Sequence, residues 1–239
     1  MVHLHAVPFL TTETTVGGEH HTVNRQKHDW GVEWRCRWTQ ERAGGDAVPT
    51  SSPQVCADPR PLTGEPLCLD LLNTRWVGGA GEKDLLDSVD GLAVWLRSAG
   101  LADRATADEV TLAALRETRD ALLAVVDDGS GTARDALNRV LSHGVLRQSL
   151  GPEGPLTCPE VDDAAWLPAW LAASDYLRLV AADPRRIKRC AAHPQCILHF
   201  HDTSKNNTRR WCSMAACGNR AKAARHYARS KSSGGGSPA

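Results

Sequence analysis

Four cysteines near the C-terminal end constrain this 239-residue chain more than any other feature. They follow the spacing C-x5-C-x15-C-x4-C and are Cys190, Cys196, Cys212 and Cys217. Two close pairs separated by a longer segment are typical of one tetrahedral zinc site with two thiolates from each of two loops. Because four thiolates leave no open position, the spacing predicts one structural Zn²⁺. His193 lies inside the first pair, and a histidine in place of one cysteine is an alternative.

Charge is strongly segregated along the chain, although the formal net charge is zero. Residues 185–231 contain twelve Lys or Arg and a single acidic residue, Asp202. Residues 62–184 contain ten basic and twenty acidic residues. Such asymmetry predicts that the basic end contacts an external polyanion, nucleic acid above all. The alternative is that the two oppositely charged parts dock on each other.

The sequence predicts a mainly α protein in four segments: a poorly ordered N-terminal extension (1–61), a helical domain with a small β-hairpin (62–184), a zinc finger (185–231) and a flexible tail (232–239). Apolar periodicity and capping signals predict the domain's helices at 88–99, 106–127, 132–143 and from Pro168 to just before Pro184. The first of them ends at Gly100, and Thr106 and Glu109 suggest a capping box for the second. Two glycines around 151–154 predict the hairpin.

Within the finger, the pattern predicts a knuckle, a hairpin and a helix in a treble-clef-like arrangement. Residues 197–202 alternate like a strand, the next five are turn residues, and Thr208–Trp211 would be the returning strand. A helix is expected to follow Cys212 and to run to about Arg229.

Helical phasing divides the basic residues of that last helix. At 100° per residue, Lys222, Arg225 and Arg229 share one sector, which favours contact with a phosphate backbone. Arg220 points away and is expected to be a structural partner of Asp202 or of the cysteine sulfurs. Three further residues on the predicted hairpin would extend the positive surface: Lys205, Arg209 and Arg210. The alternative for the whole set is a solvated basic face.

The segment Arg210-Trp-Cys-Ser-Met-Ala-Ala-Cys217-Gly-Asn-Arg220-Ala-Lys222, with Phe200-His-Asp202-Thr-Ser204 upstream, closely resembles the CGNR zinc finger. The resemblance covers about residues 187–230 and implies zinc on the four cysteines and a role in nucleic-acid binding. One departure is the first cysteine pair, which is separated by five residues where four are more usual in the family.

Upstream, Gly64-Glu-Pro-Leu-Cys-Leu-Asp70-Leu-Leu-Asn73-Thr74 resembles the entry motif of the ABATE-type helical domain, which precedes this finger in bacterial proteins. That family is described as stress-related transcription regulators. Asp70 and Asn73 lie in an apolar run, where such residues usually satisfy buried backbone groups. Binding of a small molecule through them is the alternative, and the helical domain could also mediate self-association.

These features predict a non-enzymatic, zinc-dependent transcription regulator of the bacterial cytoplasm, with DNA favoured over RNA. A module for RNA or an acidic protein is the second hypothesis. The third is a metal-dependent nuclease using His201, Asp202 and Asn207. No run of apolar residues is long enough to span a membrane, so no membrane contact is expected. Cys36, Cys56, Cys68 and Cys158 lack ligand spacing and are expected to be ordinary thiols.

Overall fold

The computed structural model describes residues 57–79, 81–152 and 154–233. Within these ranges the chain forms six α-helices: α1 (Leu67–Leu72), α2 (Val89–Ser98), α3 (Glu109–Asp127), α4 (Gly131–Leu141), α5 (Leu167–Ala182) and α6 (Asn219–Ser233). The described strands form three antiparallel pairs: β1 (Arg75–Gly78) with β2 (Gly81–Asp84), β3 (Gly144–Gly151) with β4 (Gly154–Val161), and β5 (Ile187–Arg189) with β6 (His199–His201). Most of the predicted N-terminal extension and the end of the predicted tail lie outside the described residues.

The shortest helix, α1, occupies the centre of the helical domain. All six of its residues are buried, and it packs against α3 and α5. A helix that is apolar on every side must be covered on every side. Its one acidic member, Asp70, accepts hydrogen bonds from the Trp95 indole at 3.0 Å and the Arg60 guanidinium at 2.7 Å. Asp70 therefore has the structural role that the sequence favoured.

The predicted helices are present, and short polar side chains fix where they begin. The start of α3 is capped by Asp108, which accepts from Thr111 N at 2.8 Å. The capping box expected at Thr106 is therefore wrong by two positions. Ser130 caps α4, and Gly100 follows α2 with a φ of +68°, a conformation that costs glycine little.

Both sheets of the helical domain are hairpins. The β3–β4 hairpin forms where the glycine pair predicted it, with Gly151 opposite Gly154. The β1–β2 hairpin was not predicted. It carries Asp84 at its end, which forms a largely buried ion pair with Arg119 of α3 at 2.6 Å.

Residues just before the helical domain belong to its packed structure. Arg60 is buried, and its guanidinium bridges Asp58 and Asp70, at 2.7 Å in each case. The predicted boundary after residue 61 thus cuts through one ion-pair network. Among the described residues, no helix is long and apolar enough to cross a membrane.

Candidate metal centre and nucleic-acid interface

The finger's hairpin differs from the predicted one. Strand β6 pairs with β5, which precedes the first cysteine, with Lys188 opposite Phe200. The predicted returning strand, Thr208–Trp211, is not a strand in the structure. It runs instead as an irregular segment, in which the Arg210 carbonyl accepts a hydrogen bond from Ala191 N at 2.8 Å. The first knuckle is therefore the connection between the two paired strands.

The four cysteine sulfurs converge between this hairpin and the start of the last helix. All four lie within 4.8 Å of one another, and all four residues are buried. The Sγ atoms of Cys196 and Cys212 are 3.6 Å apart, and those of Cys212 and Cys217 are 3.7 Å apart. Tetrahedral zinc with Zn–S bonds of about 2.3 Å requires sulfurs about 3.8 Å apart, so the donor set fits a four-thiolate ion.

The electrostatics of the sulfurs also suit a cation. A hydrogen bond from the Cys212 thiol lowers the pKa of Cys196 to about 5. The pKa of Cys212 is raised, because its proton is held in that bond and because it is buried beside other sulfurs. The four neighbouring thiols can thus stabilise one thiolate among them. Binding of a divalent cation would allow the other three thiols to lose their protons as well.

Histidine does not join this cluster in the described residues. His193 is exposed, and its backbone N–H donates to Cys190 O at 3.1 Å, so it lies on the outside of the knuckle. Of the remaining cysteines, Cys68 is a buried free thiol that lies outside the cluster. Cys36 and Cys56 lie outside the described residues.

Arg220 has one of the two partners that the sequence suggested. Its Nη2 atom donates to Cys217 Sγ at 3.1 Å, and this contact raises the pKa of Arg220. The guanidinium thus offsets part of the negative charge that four thiolates would carry. The other suggested partner, Asp202, is bound elsewhere.

Asp202 is fully buried and organises the loop that follows β6. Burial acts to raise its pKa, but hydrogen bonds from Lys188, Ser204 and the backbone of Arg209 outweigh that effect, and the pKa is lowered. The Lys188 Nζ atom lies 2.6 Å from one carboxylate oxygen. The single acidic residue of the finger is therefore a scaffold residue.

Arg209 is committed to the scaffold as well, which corrects its assignment to the nucleic-acid surface. Its guanidinium lies 4.3 Å above the Phe200 ring and donates to the carbonyls of Trp211 at 2.9 Å and Cys212 at 2.5 Å. Glu65 of the helical domain lies 3.6 Å from the same group. A guanidinium with its donors engaged in this way has little left to offer a phosphate.

The remaining predicted contact residues lie on the outside of the finger. Five basic side chains are exposed, namely Lys205, Arg210, Lys222, Arg225 and Arg229. The Arg210 guanidinium stacks 5.3 Å from the Trp211 ring centroid.

The finger shares its core with the helical domain. Leu198, Phe200 and the four cysteines form a small cluster, and Leu62 and Trp76 pack against it from the helical side. The Asn73 amide exchanges two hydrogen bonds with the backbone of His199, at 2.8 and 2.9 Å. Asn73 therefore has a structural role, and the finger is fixed to the end of α1.

Comparison with protein families agrees with both parts of this architecture. The model of the CGNR zinc finger matches residues 186–230. The ABATE model, described as "Putative stress-induced transcription regulator", matches residues 65–192. The two matches overlap at β5 and Cys190, where the two cores meet. No curated protein matches the chain. Because the second model covers more than half of its length, the chain belongs to the ABATE family and carries a CGNR zinc finger at its C-terminal end.

Proposed function

We propose that this protein is a transcription regulator that binds DNA through its C-terminal finger and needs one Zn²⁺ to hold that finger in shape. The observation that carries the proposal is the division of the finger's basic residues into two sets. One set is used up by internal contacts, and the other is exposed on the outer side. The second set is exposed towards an external polyanion.

The internal set consists of basic residues at the start of the finger whose side chains contact other residues of the protein. Arg186 donates to the Asp202 and Ser204 carbonyls, and Lys188 pairs with Asp202. Arg189 pairs with Asp127 at the end of α3. Of these contacts, the Arg189–Asp127 pair joins the finger to the helical domain, so it supports the alternative that part of the charge serves docking between the two parts.

The outer set is centred on α6. Lys222, Arg225 and Arg229 fall within one sector of about 60° on a helix and are exposed, so one phosphate backbone can reach all three. Lys205 and Arg210 are exposed on the preceding loop. Zinc supports this surface indirectly, because Cys217 lies in the π-helical turn Met214–Gly218 that leads into α6.

The test compares two triple variants of the full chain. K222A/R225A/R229A should weaken binding to duplex DNA, and the slope of log affinity against log salt should flatten by about 0.9 for each phosphate that is no longer neutralised. The matched control R97A/R134A/R139A removes exposed arginines from the helical domain and should bind like the unmodified chain. Equal binding by both triple variants would contradict the proposal. Selection from a random duplex pool beside a single-stranded RNA competitor identifies the nucleic acid.

One observation favours single-stranded RNA as the second candidate. Tyr227 on α6 is 72% exposed, and an exposed aromatic ring within a basic helix suits stacking on an unpaired base. Tyr227→Ala should then weaken RNA binding and leave duplex binding unchanged. An equal effect on both would remove the reason for preferring RNA.

We propose that the protein is not an enzyme. The residues considered for a nuclease do not offer a metal site, because Asp202 is fully buried with both carboxylate oxygens accepting hydrogen bonds. Incubation with DNA or RNA and Mg²⁺ should therefore leave the nucleic acid intact. Cleavage that is lost in Asp202→Asn at unchanged zinc content would contradict this assignment.

A further inference from the structure

A cavity of about 290 Å³ lies in the helical domain. It is bounded by the start of α1, the end of α2 with the loop after it, the middle of α5, and strand β3. Four leucines form its apolar wall: Leu67, Leu101, Leu146 and Leu171. Its volume is close to the lower end of the range for small-molecule sites, which is about 300–1,000 Å³.

Two of the charged residues at this cavity satisfy each other. Arg178 donates to Asp175 Oδ1 at 2.7 Å. The other oxygen of Asp175 accepts from the backbone N–H of Cys68 at 3.1 Å and so caps the start of α1. Neither charge requires a partner from outside, and this pair contributes no net charge to the cavity.

Arg104 is the exception. It lines the same cavity and is half-buried, yet among the described residues its guanidinium makes no ion pair and no hydrogen bond. Burial alone lowers its pKa, with no carboxylate to offset the effect. A cation removed from water without a partner is unfavourable, and such groups in proteins are normally paired.

The acidic residues nearest in the fold are directed elsewhere. Arg104 also borders a second, more polar cavity, together with Asp103, Asp108 and Asp163. Asp108 accepts from Thr111 N at 2.8 Å, and Asp163 accepts from Ala165 N at 2.9 Å. Asp103 is exposed. The apolar cavity therefore keeps one uncompensated positive charge beside a leucine wall.

We propose that this cavity binds a small organic monoanion with an apolar body, whose carboxylate pairs with the Arg104 guanidinium. A carboxylate matches the planar fork of arginine with two parallel hydrogen bonds, and the leucines would cover the apolar body. The charge of the site selects the anion over neutral and cationic analogues of the same shape. This site does not depend on whether the finger binds DNA, RNA or another partner.

The probe is octanoate, titrated into the full zinc-loaded chain by calorimetry, with octanamide as the neutral control of equal length. Octanoate should bind with one site per chain and at least tenfold more tightly than octanamide. Arg104→Met keeps the apolar stem and removes the charge. It should reduce the affinity for octanoate at least tenfold and leave the affinity for octanamide unchanged. The matched control Arg97→Met removes an exposed arginine on α2 and should change neither affinity.

A second variant and a second measurement guard against misfolding. Leu146→Glu places a carboxylate on the wall of the cavity that Arg104 also lines. This carboxylate should compete with octanoate for the guanidinium and reduce the affinity for octanoate by a similar factor. Octanoate should raise the melting temperature of the unmodified chain and not that of Arg104→Met. Absence of octanoate binding at millimolar concentration, equal binding of octanamide, or full affinity in Arg104→Met would each overturn the proposal.

Discussion

Asn73 and His199 are 126 positions apart in the chain, yet the side-chain amide of one pairs with the backbone of the other as a neighbouring strand would. Asn73 Nδ2 donates to His199 O, and His199 N donates to Asn73 Oδ1, at 2.9 and 2.8 Å. Both residues are buried, at 0% and 2% exposure. An amide is the side-chain group that can donate and accept in this way, which explains a polar residue at the end of an apolar helix.

Replacement of Asn73 should therefore be costly. Asn73→Ala leaves a buried N–H and a buried C=O of His199 without partners, and we expect a loss of roughly 2–4 kcal/mol in the free energy of unfolding. Asn73→Asp should be no better, because a carboxylate cannot donate to the carbonyl. Urea unfolding measures both, with Asn138→Ala on the exposed face of α4 as the control. A loss no larger than that of the control would show that the pairing contributes little.

Zinc should be present at one ion per chain and should depend on the cysteine cluster. Cys212→Ser removes the sulfur that lies 3.6 and 3.7 Å from two others, and it should abolish stoichiometric zinc. Cys68→Ala should retain it, because Cys68 lies outside the cluster. Elemental analysis and thiol alkylation of the native protein check both. Zinc-free protein with four freely alkylated thiols would contradict the site.

Arg209 and Arg210 are neighbours in sequence with opposite expected roles. Arg209→Ala removes two hydrogen bonds to carbonyls and the stacking on Phe200, so it should lower stability by about 2 kcal/mol and speed zinc release. Arg210→Ala should leave stability unchanged and weaken nucleic-acid binding. Thermal unfolding and binding across a salt series separate the two roles. The reverse result would restore Arg209 to the contact surface.

Arg220→Ala should weaken zinc retention more than it weakens DNA binding. Its guanidinium donates to Cys217 Sγ, and loss of this bond leaves the thiolate charge less balanced. Zinc release to a chelator should become faster than in Arg225→Ala, the control on the outer face of the same helix. If Arg220→Ala keeps zinc and stability but no longer binds DNA, Arg220 is a contact residue.

His199 predicts a specific dependence of stability on pH. Burial and the nearby Arg189 lower the pKa of His199 to about 4, from an ordinary value of 6.5. Since the unfolded chain binds the proton more readily, this contribution to stability is complete above pH 6.5 and is lost as the pH falls towards 4. Between pH 7 and pH 5 the unmodified chain should lose about 2 kcal/mol more than His199→Phe. Protonation of the cysteine thiolates affects both proteins alike, so the difference between their stabilities reports on His199. Parallel pH profiles of stability would show that His199 makes no such contribution.

The parts of the fold that depend on local chemistry could be predicted from the sequence. Helix ends follow from caps and glycines, and the leucines of α3 that share one face, such as Leu112 and Leu115, are buried as their periodicity predicts. The cysteine spacing is also local information. Leu177 on α5 is 48% exposed, and the sequence could not have shown this, because it does not reveal which side of a largely apolar helix is covered.

The errors lie where distant segments meet. Strand β5 reads Ile-Lys-Arg and offers little apolar signal, so its pairing with β6 was missed and Thr208–Trp211 was assigned instead. The role of Arg209 depends on carbonyls and on Glu65, which only the folded chain brings together. Arg104 carried no signal at all, because its lack of a partner is a property of the tertiary structure.

Because the finger and the helical domain share a core, metal binding in the finger should stabilise the helical domain as well. Trp76 and Leu62 pack on the cluster that zinc would hold together, and Asn73 is buried against the same strand. A ligand that binds only the folded state stabilises it in proportion to the logarithm of its free concentration. The two parts should consequently melt in one cooperative transition whose midpoint rises with free zinc, and the amount of folded protein in a cell would then follow its zinc supply.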